Sequence, residues 1–149
     1  MNSKTDKNFS DEEKTLRAYA QWIEITVFVV NGDFEIKDAH LDWGKFHKPG
    51  NKNKEIYASQ INGTIIKDED SYTIASCGRE NASSGTEGRF SLYDGNTEVF
   101  KYYWDCPWSG SNSDRLDVKD KEKYTVNKKG GGSTSGASGN IFITVVKKY

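Results

Sequence analysis

Residues 89–106 read RFSLYDGNTEVFKYYWDC, and their reading decides the fold. Asp94-Gly95-Asn96 is the clearest hairpin signal in the chain, because these residue types accept the positive backbone angles of a tight turn. The flanking segments, Arg89–Tyr93 and Thr97–Trp104, carry the aromatic and β-branched side chains that suit a pleated strand. Phe100, Tyr102 and Trp104 occupy alternate positions, so they share one face.

The same grammar extends outward. In Trp22–Val30 the odd positions Ile23, Ile25, Val27 and Val29 are apolar, while the even ones pass from Glu24 and Thr26 to Phe28 and Val30. That is period two drifting towards a strand end buried on both faces. Asn31-Gly32-Asp33 marks a turn, and Phe34–Trp43 resumes as a strand. Its apolar phase switches parity, which predicts a bulge near Lys37–Ala39. A loop is expected over Lys45–Lys54, around Pro49-Gly50, then short strands at Lys54–Ser59, Ile61–Lys67 and Ser71–Cys77. Gly78–Gly88 reads as a polar loop. Beyond the hairpin, Leu116–Val118 and Lys123–Val126 are short candidates. The glycine-rich run Asn127–Asn140 reads as a flexible loop, and Asn140–Val146 as the last strand. No helix-period segment follows residue 20. About ten short strands separated by turns point to an antiparallel β-sandwich or barrel. Residues 1–17 read as a polar, mobile tail, with a short helix through DEEKTLRAYA (residues 11–20) as the alternative.

The totals bound the rest. At 149 residues the chain fits one domain. Four Trp, eight Tyr and seven Phe against a single Met argue for strands and against a helical bundle. A net charge of −1 supplies no global field to recruit nucleic acid or an acidic membrane. No apolar run reaches the length of about 18 residues that a membrane helix requires. The N-terminus lacks the apolar centre of a secretory signal. The expectation is therefore a protein made without a signal peptide, which reaches the outside by an unconventional route or by lysis.

Signatures of catalysis are missing from the sequence. His40 and His47 belong to no cluster at metal-ligand spacing, and no nucleophile motif or phosphate-binding glycine loop occurs. The expectation is a non-enzyme with no metal and no cofactor. What stands out is aromatic: in residues 101–110, KYYWDCPWSG, Tyr102, Tyr103, Trp104 and Trp108 crowd one strand end and the turn after it. Trp22 and Trp43 also fall near strand ends, which gather at the poles of a sandwich. Aromatic rings with a polar tip prefer a boundary between water and lipid. Trp22 and Trp104 are expected to be mainly packed, with Trp108 and parts of Tyr102 and Tyr103 exposed.

Four blocks carry a family resemblance: AYAQW (18–22), WGKFH (43–47), SCGRENASSGTEGRFSLYDGNT (76–97) and YWDCPWSGS (103–111). Together they resemble the aegerolysins, in family order from Ala18 to the C-terminus. The resemblance implies a single domain over 18–149, built as an all-β antiparallel sandwich of two sheets, similar to that of actinoporins. It implies haemolysin-like binding to sphingolipid-containing membranes, either sphingomyelin with cholesterol or ceramide phosphoethanolamine. It also implies a role as the docking half of a two-component pore or insecticidal toxin whose larger, perforin-like partner inserts. Self-association stays open.

By position, the resemblance makes the loop after Cys77 the headgroup side, with Glu80, Asn81 and Ser84 in it. Several fungal members carry glutamate where this chain has Ser84, so headgroup choice does not carry over. Tyr102, Tyr103, Trp104 and Trp108, with Trp22 and Trp43, match the family's aromatics. Arg79 is a candidate phosphate ligand, or the partner of an acid such as Asp105. Cys77 and Cys106 stand where the family has its two cysteines and form a candidate disulfide pair. The competing readings are a lectin-like glycan-binding sandwich and a lipid hydrolase whose site the sequence does not reveal.

Overall fold

The computed structural model describes residues 9–132 and 134–149. Among the described residues eleven strands form two packed sheets: β1 (Trp22–Val30), β2 (Phe34–Trp43), β3 (Lys45–Lys48), β4 (Asn51–Ile56), β5 (Ile65–Ile66), β6 (Ser71–Cys77), β7 (Thr86–Asp94), β8 (Thr97–Cys106), β9 (Ser113–Val118), β10 (Tyr124–Lys129) and β11 (Gly139–Lys147). One sheet has the order β10-β11-β1-β6-β3-β4 and the other β5-β2-β7-β8-β9. The expected sandwich is present, with one departure inside it. β1 and β11 pair in parallel, from Ile23 opposite Gly139 to Val30 opposite Val146. Turn signals disclose only the pairing of successive strands, and these two lie at opposite ends of the chain.

Between the sheets, β1 contributes Ile23, Ile25, Val27 and Val29, β11 contributes Ile141, Ile143 and Val145, and β8 contributes Phe100, Tyr102 and Trp104. All are fully or almost fully buried. Each large apolar side chain so buried is worth about 1.5–3 kcal/mol relative to exposure. The predicted double burial at the end of β1 does not occur: Phe28 is exposed on the outer face. The bulge near Lys37–Ala39 does. The β2–β7 register shifts between Lys37 and His40, and Asp38 has φ 60°. Asn62 satisfies the disturbed backbone, accepting from Ala39 N at 2.8 Å and donating to Ala39 O at 3.3 Å.

Two segments differ from the reading of the sequence. Lys45–Lys54 is not a loop but most of the β3–β4 hairpin, and the strand expected at Lys54–Ser59 stops at Ile56. Its Lys and Asn composition hides a strand because β4 is the sheet edge, where charge deters further pairing. A four-residue helix, α2 (Ala58–Ile61), follows it. At the N-terminus, Asp11–Tyr19 forms helix α1, the alternative to the expected tail, while residues 1–8 lie outside the described residues. Ser10 starts α1 through a capping box: its hydroxyl accepts from Glu13 N, and the Glu13 carboxylate accepts from Ser10 N. Asp11, Glu12 and Glu13 in the first turn and Arg17 in the last complement the helix dipole.

α1 settles at one pole of the sandwich. Gly78 N donates to Ala18 O at 3.1 Å, the buried Lys45 ammonium donates to the Tyr19 hydroxyl at 2.6 Å, and Lys52 donates to Tyr19 O at 2.8 Å. The glycine-rich run is shorter than expected, since β10 extends to Lys129. Two backbone carbonyls in it hold the buried Asn112: Thr134 O accepts from Asn112 N, and Gly136 O from the Asn112 amide.

Candidate functional site

At the pole beside α1, three strands of the five-stranded sheet end in register. Trp43 of β2 lies opposite Glu87 of β7, and Glu87 lies opposite Asp105 of β8. Paired residues point to the same side, so the three side chains form one row on the outer face, with neighbouring strands about 4.8 Å apart. The turn after β8 then raises Trp108 on the other side. Trp43, Glu87, Asp105 and Trp108, with Ser83, Ser84, Gly85 and Ser109, line a cleft of ≈ 370 Å³.

Two glycines set this geometry. Gly44, immediately after Trp43, has φ +95°, and a Cβ there would stand 2.5 Å from the Cys77 carbonyl oxygen. Gly85 lies against the turn that carries Trp108: a Cβ would meet Cys106 O at 2.0 Å and Trp108 N at 2.8 Å. Trp43 is 60% exposed, a large ring offered to solvent beside two carboxylates. The Tyr103 hydroxyl donates a hydrogen bond to Glu87 and orients it. Burial, reinforced by the neighbouring Glu87 carboxylate, holds the Asp105 carboxyl above its usual range. A cation would be welcome there, since it would relieve the repulsion between the two acids.

Of the aromatic side chains expected to meet a ligand, Trp43 and Trp108 do line the cleft. Tyr103 is half-buried next to it. Tyr102 and Trp104 do not belong to the surface. Both are 0% exposed and stacked 6.1 Å apart in the core. The Tyr102 hydroxyl donates to Asp114 at 2.7 Å, and the Trp104 indole donates to Thr86 at 3.1 Å. The parity of β8 decides this: its even positions face inward, leaving Tyr103 and Asp105 outside. Trp22 is half-buried in a separate hollow with Tyr19 and Lys52, whose ammonium lies 5.2 Å from the ring centroid.

The polar candidates also divide. Ser84 lines the cleft. Arg79 is engaged by Glu55, not by Asp105, through two hydrogen bonds of 3.1 and 2.6 Å. Asn81 has φ 60° and is bound to α1: its N donates to the Thr15 hydroxyl at 3.1 Å, and its Oδ1 accepts from that hydroxyl at 3.2 Å. Cys77 and Cys106 are not bonded to each other. Both are buried free thiols, and burial pushes Cys77 up to about 11. Cys106 instead donates to Gly136 O at 3.3 Å.

The aegerolysin family model matches residues 20–148. The chain belongs to the aegerolysin family. This aegerolysin is 41% identical to Aegerolysin Aa-Pri1 of Cyclocybe aegerita over 142 residues, covering 93% of the chain and 98% of the relative. Its fold is similar to the crystal structure of IP-1A from Alcaligenes faecalis, with TM-score 0.89 and 78% identity, covering 92% and 98% of the two chains. It is also similar to the RahU protein, solved in complex with a TRIS molecule, with TM-score 0.83 and 37% identity over 89% and 98%.

Glu87 and Asp105 were absent from the sequence candidates. Both fall just outside the strands expected at Arg89–Tyr93 and Thr97–Trp104, whereas β7 begins at Thr86 and β8 runs to Cys106. Alternation with the inward Phe90 and Leu92 turns Glu87 to the outer face. The one-residue register shift between Leu92 and Tyr93 then sets it opposite Asp105.

Proposed function

We propose that this aegerolysin docks on membranes by receiving a lipid ammonium headgroup in the cleft between Trp43 and Trp108. The carrying observation is the cleft itself: an exposed indole, a second indole and two adjacent carboxylates around one small space. An ammonium is attracted to an aromatic face by about 0.5–2 kcal/mol, and to a carboxylate through charge-assisted hydrogen bonding. Ser83, Ser84 and Ser109, which also line the cleft, bring hydroxyls of a kind that suits the phosphate such a headgroup carries. The TRIS molecule bound by RahU is a small amine, and its binding by a relative fits this reading.

The lipid class proposed is the sphingophospholipids, sphingomyelin with cholesterol or ceramide phosphoethanolamine. Because Ser84 offers a hydroxyl where a carboxylate would add a third charge, cationic selection falls to Glu87 and Asp105. Both acids stand side by side on one wall instead of facing each other across the cleft. That arrangement favours holding a cation over acid–base attack on a bond between them. No helix among the described residues is long and apolar enough to cross a membrane. The proposed role is docking, with insertion left to a larger, perforin-like companion.

The test is a vesicle panel of phosphatidylcholine, sphingomyelin with and without cholesterol, and ceramide phosphoethanolamine, with dye release recorded beside binding. Binding confined to the sphingolipid vesicles, without release by this chain alone, is the expected result. Equal binding to plain phosphatidylcholine removes the sphingolipid claim, and release by the chain alone removes the docking role. Binding to a glycan array with none to vesicles would establish the lectin-like alternative.

A further inference from the structure

Trp108 is not free on all sides. Phe9 meets it edge to face with ring centroids 6.2 Å apart, and the Arg17 guanidinium lies 4.9 Å from the Trp108 ring and 5.6 Å from that of Phe9. The residue just before the Ser10 cap and a residue of α1 thus bracket the side chain that closes one wall of the cleft. The family match begins at residue 20, after this helix.

The two halves of the segment are held unequally. Ala18 and Tyr19 are anchored by three hydrogen bonds to Gly78, Lys45 and Lys52, two of them from ammonium groups. Upstream, the ties among the described residues are the Thr15–Asn81 hydrogen bonds and the ring contacts of Phe9 and Arg17. Leu16 is 67% exposed, so this part buries little. The Arg17 Nε is buried with no hydrogen-bond partner among the described residues, a desolvation cost present only while the segment is closed. Asp11, Glu12 and Glu13 also place three carboxylates beside the aromatic pole, where they would repel lipid phosphates.

We propose that Phe9–Arg17 is a strap that covers Trp108 in solution and swings away about the Ala18–Tyr19 anchor when the pole meets a membrane. Phe9 and Arg17 do not line the cleft, so the strap holds the part of the Trp108 ring that the cleft leaves free, and its release bares that part to lipid. This inference rests on the headgroup reading of the cleft.

The test uses the full chain carrying Phe9→Ala and Arg17→Gln together, with Ser10→Ala as a second variant that loosens the strap without touching Trp108. Without lipid, amide hydrogen exchange over residues 11–17 should speed up in both variants, while exchange in β1 and β8 stays unchanged. On sphingomyelin–cholesterol vesicles, binding should tighten by on the order of tenfold in the double variant. The wild-type strap should itself exchange faster once vesicles are added. Unchanged or weaker vesicle binding by the opened variants overturns the strap and leaves the headgroup reading standing if the wild type still binds. Failure of every form to bind any vesicle, with the strap opened as expected, overturns the headgroup reading and with it the strap's role.

Discussion

Single residues set the chemistry of the pole. Gly85 has the most constrained place: any side chain there strikes the backbone of residues 106–108. Gly85→Ala should cost about 1–3 kcal/mol of stability, the range for overpacking, and weaken vesicle binding further by displacing Trp108. Urea unfolding and vesicle sedimentation on the same variant separate these two effects. His47 gives a different expectation. It is fully buried; its Nδ1 hydrogen-bonds Lys48 O at 2.8 Å, and its Nε2 has no partner among the described residues. Burial holds its pKa below the ordinary value, against the pull of the Lys48 carbonyl and Glu24 and with the push of Lys52 and Lys45. The unfolded chain therefore binds a proton first. Stability from His47 is complete above about pH 6.5 and is lost as the pH falls from there through the lowered folded value. His47→Gln should flatten the change in urea midpoint between pH 7.5 and 5.5; an unchanged slope would assign it to other groups.

Elements carry the division between what the chain spells out and what it conceals. The β7–β8 hairpin is legible because Asp94-Gly95-Asn96 fixes the turn and alternate aromatics fix the inward face of β8. The bulge in β2 is legible because apolar parity changes across it. The β3–β4 hairpin is not, because an exposed edge strand needs no apolar face. Nor is the parallel β1–β11 pair, which is made by contacts across nearly the whole chain. The aromatic cluster is legible in part: Trp108 lies in a turn and lines the cleft, and Trp104 is packed as expected, whereas Tyr102, expected to be partly exposed, is core by the same strand parity. The acidic half of the site hid because Glu87 and Asp105 lie just beyond the strand bounds that turn signals and apolar residues mark. At this scale Asn62 is the element-joining residue, tying the turn after α2 to the β2 bulge. Asn62→Ala leaves the Ala39 backbone groups unpaired and should cost about 1–3 kcal/mol, read by thermal or urea unfolding. A cost below a few tenths would show that water replaces the amide.

At the scale of the whole molecule, the sandwich separates a stable body from a chemically active end. The strands that supply the core between the sheets also deliver Trp43, Glu87 and Asp105 to one edge, and the turns beyond them add Ser84 and Trp108. Exposed apolar rings also occur elsewhere. Phe142, on the outer face of the six-stranded sheet, is 50% exposed and has no place in the cleft. The account therefore claims a pole, not general stickiness. Equilibrium binding to sphingomyelin–cholesterol vesicles, compared for the wild type, Trp43→Ala and Phe142→Ala with far-ultraviolet circular dichroism matched, tests it most directly. Loss of on the order of tenfold or more in Trp43→Ala, with Phe142→Ala close to wild type, is the predicted result. Undiminished binding by Trp43→Ala, or an equal loss in both variants, would contradict it.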